Sequence, residues 1–190
     1  MRLKSQSRWV IGGILFLLVL IFPLPAFCQK ATIHDIQVRR SDGAWKVSFD
    51  VENCFTEKME EAIQSGIPTT FTFYINVHQK RSWWKDRKLA ALELRHTVQY
   101  HPIQKIYQIR LGEDHSAQAA SSLEEAKKLM SRVKEFNVRS SLAMEPGVPA
   151  YFRIKAGLDP VRLPLHLEYL FFFVSLWNFE TEWVIQPLPP

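Results

Sequence analysis

Cysteine is nearly missing from this 190-residue chain; only Cys28 and Cys54 occur. Two cysteines make no disulfide framework, and their spacing fits neither zinc nor iron–sulfur ligation. If Cys28 is removed with a leader, no internal disulfide can form. Cys54 sits beside Phe55 at the end of an apolar-patterned strand, where a buried, inert thiol is expected. Glycine is also scarce, with 7 in all. Gly112 and Gly147 are isolated, so no phosphate-cradling loop is present. There is no G-x-S-x-G elbow. Glu60 and Glu61 suit the early turns of a helix, and nothing links Asp35, Asp50 and Asp159 into an acid–base site. No catalytic, cofactor-binding or metal-binding residues are assigned.

A charge of one sign is lacking too. The formal net charge is +5. Arg2, Lys4 and Arg8, however, belong to the leading segment. Without them 21 Lys and Arg face 19 Asp and Glu, about +2. That balance gives no reason to expect nucleic-acid binding.

The segment 1–28 does carry a pattern. A basic start precedes an uncharged apolar run from Trp9 to Phe22. Pro23 and Pro25 break the run, and Ala26-Phe27-Cys28 follows. This is the layout of a secretory signal peptide. Uncleaved, Trp9 to Phe27 spans 19 residues, close to the length of an N-terminal membrane anchor. Either reading places the remainder outside the cytoplasm. Phe27 is too bulky for the usual lipidation site at Cys28.

The rest has the size of one domain. Residues 30–186 are expected to form a β-rich envelope domain, and 187–190 an extended proline-rich tail. Two-residue periodicity dominates. Ile33 to Arg39 and Trp45 to Val51 bracket the turn signal Ser41-Asp42-Gly43, which predicts a hairpin. Phe71, Phe73, Ile75 and Val77 share one face of a long strand. Leu92, Leu94, His96, Val98 and Tyr100 share a face of the next. Tyr107, Ile109 and Leu111 follow, and Ala150 to Leu158 alternates again. Phe136 to Leu142 is expected to return to strand, and Glu182 to Ile185 to form a last short one. Two short helices are predicted. Thr56 to Ser65 is capped by Thr56 and bounded by Gly66 and Pro68. The second starts near Ser121, with Ser121 and Glu124 as its capping box. The expected fold is mainly β: a single antiparallel β-sandwich-like domain with two short helices.

Two stretches are candidate contact surfaces. Arg81 to Arg87, RSWWKDR, falls between the two longest strands. The favoured structural reading has at least one indole plugging the end of the core, with Arg81 or Arg87 stacked over it and Asp86 paired nearby. The functional reading is an interaction tip of Arg81, Trp83, Trp84, Lys85 and Arg87, since aromatic and arginine side chains dominate interface energetics. The second stretch is the apolar run Tyr169 to Trp177, read first as a strand covered on both sides. A contact surface of Tyr169, Phe171, Phe172, Phe173 and Trp177 is the alternative. The six histidines are scattered. His96 falls on an apolar face, where a hydrogen-bonded core histidine is expected.

Several short signatures recur in a set order. Phe55 leads into a helix ending Ala62-Ile63-Gln64-Ser65-Gly66-Ile67-Pro68. Arg81-Ser82-Trp83-Trp84 follows, then Tyr100-His101-Pro102-Ile103 with Tyr107. Leu158-Asp159, Leu163-Pro164, Trp177 and Trp183 complete the series. Together, over about residues 31–185, they resemble the DUF4390 family of uncharacterised exported or membrane-associated bacterial proteins. The resemblance implies a Gram-negative envelope setting and a single domain. It implies no chemistry and carries over no site residues. The expected function is a non-catalytic binding module of the envelope, exported to its periplasmic side. Its partner would be an unidentified envelope protein or a membrane surface. A structural accessory subunit of a membrane complex and an enzyme of unidentified class are the alternatives.

Overall fold

The computed structural model describes residues 30–41, 43–83, 85–113, 116–139, 143–159 and 179–189. The apolar run Tyr169 to Trp177 and the leading segment 1–28 lie outside the described residues. No helix among the described residues is long and apolar enough to cross a membrane.

The first hairpin joins β1 (Thr32–Ser41) to β2 (Ala44–Glu52). Gly43 turns it with φ of 74°, a region open to glycine at no steric cost. The helix α1 (Glu57–Gln64) follows. Thr56 caps it, its hydroxyl accepting from Met59 N at 3.3 Å, and Met59, Ala62 and Ile63 are buried. Then come the long strands β3 (Thr69–Gln79) and β4 (Arg87–His101), followed by β5 (Ile106–Arg110) and β6 (Ala117–Ala120). The helix α2 (Leu123–Met130) and the strands β7 (Arg132–Val138), β8 (Ala150–Leu158) and β9 (Val184–Pro187) complete the order.

The strands make two antiparallel sheets. One has the order β1-β2-β7, the other β6-β5-β4-β3-β8-β9. They pack face to face through the apolar sides that the period-two pattern predicts. Phe49 meets Phe73 edge-on at 5.6 Å, and Phe55 meets Phe71 at 5.0 Å. Phe71, Phe73, Ile75 and Val77 are fully buried, as are Phe152 and Ile154 on β8. α2 lies across β4, β5, β6 and β7. Lys127 on α2 donates to Glu60 on α1 at 2.7 Å, tying the helices together.

Four local expectations need correction. The α2 cap is Ser122, not Ser121: the Ser122 hydroxyl accepts from Glu125 N, and the Glu125 carboxylate reaches back to Ser121 N. Consecutive serines and consecutive glutamates offer two registers for one motif, and the second allows Ala126 and Met130 to be buried. β7 begins at Arg132 rather than Phe136, because Val133 packs in the sheet and not on the helix stripe. β6 is a strand that the period-two pattern does not predict. Its AQAA sequence has neither alternation nor β-branching, and its pairing with β5 makes it a strand. The last short strand runs Val184–Pro187 rather than Glu182 to Ile185, and Pro187 stands opposite Tyr151 on an edge strand.

Cys54 is buried, and its thiol donates to Val51 O at 3.5 Å. Burial pushes the thiol from its ordinary 9.0 up to about 12. Below pH 9 the thiol is protonated in the folded and unfolded chain alike, so its contribution is constant. Between 9.0 and about 12 only the unfolded chain releases the proton. Stability is therefore lost as pH rises through that window, with a slope of about 1.4 kcal/mol per pH unit. Urea midpoints taken across the window should fall more steeply for the wild type than for Cys54→Ala. Equal slopes would contradict the buried thiol.

Candidate functional site

Antiparallel pairing gives the molecule two poles. β3 and β4 meet at Gln79 and Arg87, and β3 and β8 at Gln79 and Ala150. The hairpin end 80–86, the β1–β2 turn and the loop 143–149 therefore share one pole. The far pole holds Lys30, α1, the β4–β5 turn, Asp159 and Phe179. Eleven residues of β3 separate the two, about 35 Å at roughly 3.3 Å per residue.

The hairpin end is fastened from below. The Asp86 carboxylate accepts from Arg81 N at 3.3 Å and from the Tyr151 hydroxyl at 2.5 Å. The Tyr151 bond holds the Asp86 carboxyl below its usual range. Tyr151 in turn stacks on His78 at 5.6 Å. His78 titrates below its ordinary value, first because of burial and then because Arg153 and Lys88 lie near. Lys80 N donates to Pro149 O at 2.9 Å, and the Arg87 guanidinium pairs with Glu145 at 3.1 Å.

On this base Trp83 is 96% exposed. Trp83 itself does not plug the core; the reading that at least one of the two indoles does so also involves Trp84. With no alternating partner strand beyond Gln79 and Arg87, the chain turns and carries the indole outward. Asp86 is paired as expected, with Tyr151. Arg81 and Lys85 are exposed beside Trp83. Arg87 is part-buried and held by Glu145. Trp84 lies outside the described residues, as do Tyr169, Phe171, Phe172, Phe173 and Trp177.

Next to the tip is a groove of about 580 Å³. Trp45 and Arg40 supply one wall, Met144 to Pro149 another, and Leu188 and Pro189 close a side. Gln79 builds it. That side chain is almost fully buried, donates to Glu145 O at 2.8 Å and Val148 O at 3.2 Å, and accepts from Glu145 N at 3.1 Å. Gly147, with φ of 74°, turns the loop between them. The Arg40 guanidinium lies over the Trp45 ring at 5.5 Å. The groove is thus a preformed, mainly apolar trough with one arginine and one glutamate at its rim. No local motif announces it, because four segments far apart in sequence assemble it.

His96 is the satisfied core histidine that its position on an apolar face predicts. It is fully buried, with Nδ1 3.1 Å from Met130 O and Nε2 2.7 Å from Glu113 Oε2. Glu113 reaches it because Gly112 passes directly over β4. A Cβ there would stand 2.8 Å from Arg95 O and 2.7 Å from Leu94 Cδ1. His96 is fully buried and the Glu113 side chain is 12% exposed, and the pair ties β4 to the end of α2 and to the segment after β5. Among the described residues no group of three or more His, Cys, Asp or Glu is placed to hold a metal ion.

No curated protein and no solved structure matches the chain. A family model does, over residues 28–186, and its description is a domain of unknown function, DUF4390. The match covers most of the chain, and the protein belongs to that family.

Proposed function

We propose that this chain is a non-catalytic binding module of the bacterial envelope that grips a partner protein with the pole carrying Trp83. The observation that carries the reading is the 96% exposure of Trp83 on a braced hairpin, beside the groove. A solvated indole between Arg81 and Lys85 has little reason to be held there for folding. Tryptophan and arginine anchors beside a preformed trough are what a protein interface uses. The fastening by Asp86, Tyr151 and Glu145 lowers the ordering cost of binding.

The accessory-subunit alternative calls for a continuous apolar patch. Among the described residues the exposed large hydrophobics are Trp83, Ile103 and Ile185, on three separate elements.

The test is photocrosslinking in intact cells with a photoreactive phenylalanine derivative at position 83, which keeps an aromatic ring at the anchor. A control goes at Glu93, an exposed site on the outer face of β4. A single protein adduct at 83, absent at 93 and weakened by Arg40→Glu, is the expected result. Equal labelling at both positions would sink the proposal. Trp83→Ala should leave stability within about 0.5 kcal/mol of the wild type, as surface changes do, while removing the adduct of a second photoreactive residue at Lys85. A marked fall in melting temperature would return Trp83 to the core.

A further inference from the structure

The far pole carries an unexplained side chain of its own. Ile103 is 98% exposed in the turn between β4 and β5. The turn is built, not loose. Lys105 N closes it by donating to His101 O at 2.8 Å, Lys105 adopts a φ of 54°, and His101 Nε2 lies 3.0 Å from Gln108 Oε1. Pro102, Gln104 and Lys105 are exposed around it. A rigid turn therefore presents one aliphatic side chain to the outside, flanked by a lysine.

The register shows where this turn points. Thr69, the first residue of β3, pairs with Val98, and β4 continues past it through His101. Ile103 thus projects from the far pole, beyond the start of β3. The chain enters the described fold at the same pole, at Lys30, close behind the apolar run Trp9 to Phe27. Lys30 is tied down there by an ion pair with Glu182. Asp159, whose N–H donates to Thr70 O at 2.9 Å, and Phe179, which accepts from Leu158 N at 3.1 Å, also lie on this side.

We infer that the β4–β5 turn is a membrane-contact element, with Ile103 entering the acyl boundary of a phospholipid bilayer and Lys105 staying among the headgroups. An aliphatic tip beside a lysine is the arrangement that an interfacial element uses. A lone exposed isoleucine needs no explanation by itself. With Trp9 to Phe27 read as an uncleaved anchor, the placement of Ile103 on the pole where that bilayer-length segment leads into the fold is what singles out lipid over a second copy of the chain. The Trp83 pole then faces away from that membrane. The inference does not depend on the proposed partner at that pole.

Depth-dependent fluorescence tests it. The full chain with Cys28→Ser is reconstituted into vesicles of phosphatidylethanolamine and phosphatidylglycerol, and an environment-sensitive dye is attached through Ile103→Cys or, separately, Trp83→Cys. Cys54 is buried and stays unlabelled in the folded protein. The dye at 103 should emit to the blue and be quenched several-fold more by spin-labelled lipid than by aqueous iodide. The dye at 83 should show the reverse. Iodide quenching at 103 equal to that at 83 would overturn the inference. So would a dye at 103 shielded from both quenchers, which would mean a protein contact. Failure of the full chain to float with the vesicles would overturn it as well. Circular dichroism of both labelled variants checks that each is folded.

Discussion

Phe73→Ala should lower the stability of the domain by about 3–5 kcal/mol, the largest effect expected of any single change described above. Phe73 is fully buried on the central strand pair of the larger sheet. Its ring meets Phe49 of the opposite sheet edge-on at 5.6 Å and the His96 imidazole at 4.9 Å, again edge-on. Truncation removes the ring's own burial and also opens a cavity between two sheets that are each held by their ladders. Neither sheet can close over the gap, so the cavity term persists. Domains of this size are stable by about 5–15 kcal/mol, so the variant should melt far below the wild type. Equilibrium urea unfolding measures it. A loss under about 1 kcal/mol would mean that the sheets are not packed against each other at this point.

Glu113→Leu is the second large expectation, at about 1–3 kcal/mol or somewhat more. Both partners of the His96 ring are acceptors, a carbonyl on Met130 and a carboxylate on Glu113. Nδ1 faces Met130 O and Nε2 faces the Glu113 carboxyl, so loss of Glu113 leaves Nε2 buried without this partner. A double change separates this penalty from lost packing. His96→Phe with Glu113→Leu replaces the polar pair by apolar groups, which is often close to neutral. The double variant should therefore be more stable than Glu113→Leu alone. Simple additivity of the two single losses would show that the two side chains do not act as a pair.

Much of the fold is legible because burial on one face writes itself into alternation. β2, β3, β4, β5 and β8 all carry that signature, and Thr56 and Gly66 bracket α1 by their own chemistry. The failures have equally local causes. β6 is made strand by its neighbour, not by propensity. The bulges at Asp35 and Glu135, with φ of 52° and 45°, occur at residues that give no warning of it. Edge strands such as β1 and β7 use such bulges to resist further pairing, and an unaligned sequence does not reveal which strands are edges. For the site, the sequence marks the tip but not its environment. RSWWKDR locates the hairpin end and even the pairing of Asp86. It is silent on Tyr151 and Glu145, which come from distant segments. The groove is invisible for the same reason: Trp45 reads as one more apolar position of β2, and Gln79 lies just past the alternation that marks β3.

The closing strands also set a timetable. β2 needs β7, with Trp45 opposite Val138, and β3 needs β8, with Gln79 opposite Ala150. The first hairpin can form early, yet β2 keeps one edge without its neighbour β7 until the chain has grown from Glu52 to Arg132, about eighty further residues. At about 5–20 residues per second of synthesis that interval is on the order of 4–16 s. Pairings this distant also place folding in the slow range of about milliseconds to seconds. For several seconds, therefore, the nascent chain offers a sticky, half-built sheet to whatever escorts it.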